Sequence, residues 1–211
     1  MDLNPRRVLV LSPHTDDGEL GCGGTISKLV RQGSEVHYAA FSAAEQSVPT
    51  GFPRDVLRTE VKAATLALGI PSERLIVHSY EVRKLSYFRQ EVLEDLIRLK
   101  KTIEPDLVFM PSLSDLHQDH VTVAQEGMRA FKTTTVFSYE LIWNNVSFNT
   151  SAFVRLDKQD VEAKWQALQA YRSQAGRVYM TKDFVLSLAT TRGTQIGCPY
   201  AEAFEVARFV V

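Results

Sequence analysis

Four short apolar runs, rich in β-branched residues and separated by helix-length stretches, constrain this chain more than any other feature. Val8-Leu9-Val10-Leu11, residues 36–41, Leu75-Ile76-Val77 and Leu107-Val108-Phe109-Met110 each read as a strand buried on both faces. Residues 20–30, 56–68 and 88–103 between them, and 121–131 after the fourth, carry apolar positions at helical spacing. Gly33, Gly69-Ile70-Pro71 and Glu104-Pro105 supply the stops. Strands joined through helices of this length need right-handed crossovers. The expected fold class is therefore α/β: a three-layer sandwich with a mostly parallel, doubly wound sheet.

The rest is less regular. Residues 135–139, 152–156, 184–189 and 204–211 read as strands, and 157–174 as a helix capped by Asp157 or Asp160. No repeat, low-complexity segment or Gly/Ser linker interrupts the chain, so one domain over residues 1–211 is expected. The stretch 42–53 holds Pro49, Gly51 and Pro53 and is a long loop of the kind that often serves as a lid.

Charge and cysteine content exclude several classes of function. Lys+Arg number 24 against 25 Asp+Glu, leaving no basic excess for a nucleic-acid partner. The two cysteines, Cys22 and Cys198, are too few for a disulfide framework or a four-thiolate zinc site. No apolar run approaches the ~18–20 residues of a membrane span. The first residues carry no signal-peptide pattern, so a cytoplasmic location is expected.

Two polar clusters remain. The first strand ends in Ser12-Pro13-His14-Thr15-Asp16-Asp17-Gly18, and the fourth in Pro111-Ser112-Leu113-Ser114-Asp115-Leu116-His117-Gln118-Asp119-His120. In a sheet of order 3-2-1-4-5, strands 1 and 4 flank the point where the winding reverses, and ligands bind in the crevice there. The topology thus makes one site of both clusters, and three of the five histidines fall in it. His14 and Asp17, three residues apart at the mouth of a helix, can point the same way, and His120 opens the facing helix. Two imidazoles and a carboxylate with an open position make up a catalytic zinc site. Asp16 must turn away from Asp17, which leaves it free to accept a proton. Blander readings exist: an Asp-Asp pair can simply cap a helix, and a lone histidine is usually structural. His37 and His78 have no carboxylate partner in sequence. Gly21-Cys22-Gly23-Gly24 matches neither the dinucleotide fingerprint nor the P-loop, and reads as close packing of the first helix on the sheet.

At these residues the chain resembles the PIG-L/LmbE-like family of metal-dependent N-deacetylases. The resemblance rests on Pro13-His14-Thr15-Asp16-Asp17 followed by Leu20-Gly21-Cys22-Gly23-Gly24, and on His117-Gln118-Asp119-His120. Weaker matches are Leu68-Gly69-Ile70, Tyr171-Arg172-Ser173-Gln174 and Tyr200-Ala201-Glu202-Ala203-Phe204. Thr15 and Gln118 stand where prolines are common, and Gly18 where an acidic residue is usual; none of the three is a ligand.

The resemblance implies a Rossmann-like fold and a Zn2+ cofactor, another divalent metal being the alternative, held by His14, Asp17 and His120. It implies Asp16 as general base, His117 as oxyanion stabiliser or acid, and Asp119 as the group orienting His117. A substrate-contacting arginine before the second helix has two candidates, Arg54 and Arg58. The expected reaction removes an N-acetyl group from an amino sugar or sugar-containing small molecule. Asp16 takes a proton from a metal-acidified water, protonated His117 holds the oxyanion, and acetate and a free amine result. Residues 42–53, 80–88 (with Arg83, Lys84 and Tyr87) and 140–151 (with Trp143, Asn144 and Asn145) should form the rim. Their aromatic and polar groups suit a sugar and equally the subunit contacts of a homo-oligomer. One rival is a Rossmann-type nucleotide-binding or transferase module, disfavoured by a first turn without its glycines and a second strand without a terminal acidic residue. The other is a structural metal site closed by His117, with no hydrolysis.

Overall fold

The computed structural model describes residues 4–211; residues 1–3, the start of the stretch read as leading into the first strand, lie outside the described residues. The four apolar runs form β1 (Arg7–His14), β2 (Glu35–Ser42), β3 (Leu75–Val77) and β4 (Leu107–Pro111). They alternate with α1 (Asp17–Arg31), α2 (Val56–Ala67), α3 (Arg89–Ile103) and α4 (Gln118–Ala130). The chain continues through β5 (Thr135–Tyr139), β6 (Ala152–Leu156), α5 (Lys158–Leu168), α6 (Lys182–Gln195) and β7 (Tyr200–Arg208).

One seven-stranded sheet runs β3-β2-β1-β4-β5-β7-β6. The first five strands are parallel, and β7 pairs antiparallel with both β5 and β6. Side-chain alternation along β1 divides the core. Val8 and Val10 pack with α1, α2, α5 and α6, whereas Leu9 and Leu11 pack with α3 and α4. This is the expected doubly wound, three-layer arrangement, and the winding reverses between β1 and β4. No helix among the described residues is long and apolar enough to cross a membrane.

Two expectations are corrected. Residues 184–189 are not a strand but part of α6. Val185, Ala189 and Gly193 are buried at intervals of four, a helical stripe. Thr181 caps the helix by accepting the N–H of Phe184 at 3.2 Å. The helix expected over 157–174 stops at Leu168, and a separate one-turn 3-10 helix covers Arg172–Gln174. Its start is a capping box in which Asp157 and Asp160 each bond the other's backbone.

The glycines of α1 have the packing role read from sequence. A Cβ on Gly21 would run into the ring and Cβ of buried Tyr139, and one on Gly24 would stand 2.6 Å from Leu156. These close approaches seat α1 on the sheet, which aims its first turn at the end of β4. Tyr139 cannot yield, since its hydroxyl donates to Leu11 O at 2.9 Å. Gly21→Ala should therefore overpack the core and lower unfolding stability by about 1–3 kcal/mol, measured by urea denaturation.

Candidate active site

Backbone geometry brings the two loops into contact. His14 ends β1 and Asp17 opens α1, while His117 caps α4 and His120 lies in its first turn. His14 Nδ1, Asp17 Oδ2 and His120 Nε2 are mutually 3.2 Å apart, although His14 and His120 are separated by 106 residues. The Asp17 oxygen is further held by the backbone N–H of His14 at 2.8 Å. The other imidazole nitrogens are occupied. His14 Nε2 donates to Asp119 at 3.0 Å, and His120 Nδ1 donates to Asp115 at 2.8 Å. Each histidine is thus oriented by a buried carboxylate with its second nitrogen turned to the common point, as metal-ligating histidines are. Ligands ~2.0–2.1 Å from a tetrahedral zinc stand ~3.3 Å from one another, so this donor set fits a divalent cation. The ring nitrogens of His14, His117 and His120 also come within 4.8 Å of one another.

Charge follows from these contacts. Burial disfavours the protonated form of His14, but the pull of Asp17 and hydrogen bonds to Asp119 and Asp17 raise its pKa to about 9. Burial likewise opposes His120, and Asp17 and Asp115 raise it to about 10. Asp17 is held well below the usual carboxylate range by His120 and His14, which overcome its desolvation. Asp16 moves the other way, to about 6, through burial and the neighbouring Asp17 charge. It occupies the N-cap position of α1 without a side-chain capping bond, so the plain helix-cap reading does not describe it.

His117 lines the cavity as expected but differs in protonation. Burial, then the charges of His14 and His120, push its pKa down to about 4, so it is neutral rather than protonated. Its Nδ1 accepts the N–H of Asp119 at 3.2 Å, which leaves the proton of the neutral ring on Nε2. Asp119 does not orient the His117 ring through its carboxylate. That carboxylate binds His14 and takes the N–H groups of Arg83 at 2.5 Å and Leu85 at 3.1 Å. The turn at His117 is fixed instead by Asp115, which accepts the His117 N–H at 2.8 Å.

A cavity of about 360 Å³ opens above this floor, with Asp16, Asp17 and the three histidines lining it. Trp143 and Tyr179 form one wall, stacked at 3.8 Å with rings 7° apart. Trp143 is carried by a loop that a bridge between Asp115 and Asn145 pins beside the β4–α4 turn. Behind the β1–α1 turn, Tyr171 donates to Thr15 O at 2.6 Å and meets Glu19, which also contacts Tyr38. Burial raises the Glu19 pKa to about 8 despite both tyrosines.

Arg54 and Arg58 do not line the cavity. Arg58 turns aside to Glu45 at 2.9 Å and Ser79 at 3.1 Å, because the loop after β2 places that carboxylate beside α2. The cavity's guanidiniums belong to Arg83 and Arg177. Asp115, Arg177 and Tyr179 carried no role in the sequence reading. Asp115 had one usable signal, its place five residues before His120 in a cluster already marked as polar.

Comparison with known proteins gives the family and the fold. The model of the GlcNAc-PI de-N-acetylase family, PIG-L, matches residues 9–131, from β1 through α4. The chain is 25% identical over 171 residues to the uncharacterized deacetylase YaiS of Escherichia coli (strain K12), covering 79% of this chain and 90% of that protein. It is 26% identical over 189 residues to the probable N-acetyl-alpha-D-glucosaminyl L-malate deacetylase 2 of Bacillus anthracis, covering 81% and 82%. Its fold superposes on N,N'-diacetylchitobiose deacetylase from Pyrococcus horikoshii with a TM-score of 0.80, at 22% identity, over 95% of this chain and 83% of that one.

The raised histidine pKa values give the metal-free protein a defined pH response. Below ~6.5 the unfolded chain also binds these protons, so the stabilisation from His14 and His120 is complete. Between there and the folded values of about 9 and about 10, only the native state keeps them. Urea denaturation of metal-free protein should show stability falling from pH 6.5 to 10, and His120→Ala should flatten that slope.

Proposed function

Because this chain belongs to the PIG-L family, we propose that it is a zinc-dependent N-deacetylase acting on an amino sugar or sugar-containing small molecule. The observation that carries the reading is the triangle of His14 Nδ1, Asp17 Oδ2 and His120 Nε2, with 3.2 Å edges on a cavity floor that Asp16 and His117 also line. His14, Asp17 and His120 would hold the cation, with Asp119 and Asp115 orienting the two imidazoles. When bound, the cation supplies Lewis acidity, which polarises a carbonyl and lowers the pKa of a water from ~15.7 toward ~7.

The chain's own residues do the rest. Asp16, free of any capping bond, accepts the proton of the attacking water. His117 is a neutral donor whose Nε2–H is available to the oxyanion that forms on the acetyl carbonyl. Expulsion of the amine needs a proton. His117 could give one only by becoming an imidazolate, so Asp16 returns the one it took. The Trp143–Tyr179 wall offers an apolar surface for a sugar ring.

The test is acetate release from N-acetylated amino sugars by the zinc-loaded enzyme. Asp16→Asn should keep fold and zinc and lose roughly 10²–10⁴ in rate, the range of general-base removal. Near-normal release by that variant would transfer the role to another group. The nearness of His117 to His14 and His120 keeps a closed four-ligand structural site as the second reading. His117→Ala should retain zinc, measured by metal analysis, while slowing turnover about 10²–10³-fold; loss of the metal would favour the structural site.

A further inference from the structure

Three side chains buried behind the cavity floor gather at one backbone carbonyl. Tyr171 donates to Thr15 O at 2.6 Å, and the Tyr38 hydroxyl lies 2.9 Å from the same oxygen. Glu19 joins the two tyrosines, with Oε1 3.0 Å from the Tyr171 hydroxyl and Oε2 against that of Tyr38. A tyrosine hydroxyl has one proton to give, and for Tyr171 the Thr15 carbonyl is the nearer acceptor. All three side chains belong to residues at most 1% exposed, and none of them lines the cavity. They cannot touch a substrate; what they hold is the turn between β1 and α1.

The surroundings fix this group in place. A Cβ on Gly18 would stand 2.6 Å from the Tyr38 hydroxyl oxygen, so the glycine makes room for it. The Gly18 N–H donates to that hydroxyl at 3.1 Å and to Ser12 Oγ at 3.0 Å. Tyr171 is anchored from the other side. Two residues on, Ser173 donates its N–H at 2.9 Å and its hydroxyl at 2.5 Å to buried Glu60 of α2. The same segment continues to Gln174, Arg177 and Tyr179, which line the cavity. A wall of the cavity and a support behind its floor thus share one stretch of chain.

The residue after Thr15 is Asp16. It makes no side-chain capping bond, so the aim of its carboxylate follows from the peptides on either side. The later peptide is held by the helix, since Asp16 O accepts the Leu20 N–H at 3.0 Å. The earlier one ends in Thr15 O, the oxygen the tyrosines hold. Peptide units are planar, so fixing both fixes the direction in which Asp16 leaves the backbone. We propose that Tyr171, steadied by Glu19 and Tyr38, is a positioning residue whose hydroxyl holds the Thr15 carbonyl so that Asp16 presents its carboxylate to the cavity. The proposal rests on the reading of Asp16 as general base.

The test is a double-mutant cycle on zinc-loaded enzyme, scored by acetate release. Tyr171→Phe removes the hydroxyl and keeps the ring. It should lower kcat about 10–10²-fold, the scale of a misaimed reacting group, with KM and bound zinc nearly unchanged. In an Asp16→Asn background the same substitution should cost less than about twofold, because the group it aims is gone. An unchanged kcat, loss of zinc, or equal losses in both backgrounds would each overturn the proposal. Amide exchange read by mass spectrometry answers without turnover. Tyr171→Phe should speed exchange over residues 14–20 while β4 and α3 keep the unmutated rate. Faster exchange throughout, or none over 14–20, also overturns the proposal. Tyr38→Phe removes the other contact to Thr15 O and should give the same pattern, which decides the matter if Tyr171→Phe does not fold. The two readings fail differently: near-normal release by Asp16→Asn alone sinks the general base, whereas an impaired Asp16→Asn enzyme with equal losses sinks only the positioning.

Discussion

One carboxylate oxygen, Asp17 Oδ2, joins the two halves of this site. It sits 3.2 Å from a nitrogen of His14 on the β1 side and 3.2 Å from a nitrogen of His120 on the β4 side, and it is anchored by the His14 backbone. Bringing three such groups together under cover is unfavourable unless positive charge answers the carboxylate. In the metal-free chain, protons on the histidines answer it. A divalent cation meets the same need, and the shared geometry means little must move for one to replace the other. That requirement reaches outward. β1 and β4 must be neighbours, α1 must lie close enough to point its first turn inward, and glycines must stand where α1 crosses Tyr139 and Leu156.

Buried carboxylates extend the same logic. Asp115 and Asp119 stand on either side of His117, yet each reaches a different histidine, and Asp119 also gathers the N–H groups of Arg83 and Leu85. The five-residue stretch Asp115–Asp119 therefore orients both candidate metal-binding imidazoles and fixes part of the rim. His117, the residue between these carboxylates, is left neutral by burial first and then by the charges of His14 and His120.

What was legible in the amino-acid order was what depends on periodicity and strand ends. Continuous apolar runs announced the parallel strands, and the switch point followed from their order; His14, Asp17, His117 and His120 could be placed near one another on that basis alone. Residues 184–189 misled because a run of apolar residues reads alike as strand or helix until its buried face is known. Arg58 misled because its rival partner, Glu45, lies on a loop whose path no local pattern sets. The roles of Asp115 and Asp119 could not be divided from spacing, since in a tight turn adjacent side chains diverge by amounts that only the backbone decides. Trp143 could be placed on the rim from its loop, but its pairing with Tyr179 joins segments with no shared periodicity.

The sheet has a seam. Every group on the cavity floor comes from β1, β4 and the turns that follow them, inside the stretch that matches the family. Trp143, Arg177 and Tyr179 come from beyond residue 131, the first from the loop after β5 and the other two from the segment between the 3-10 helix at Arg172–Gln174 and α6. The groups proposed for chemistry and part of the cavity wall therefore lie on separate lengths of polypeptide. On the proposed reading, substitutions at Trp143, Arg177 or Tyr179 would alter which molecule is admitted while leaving the groups of the floor in place.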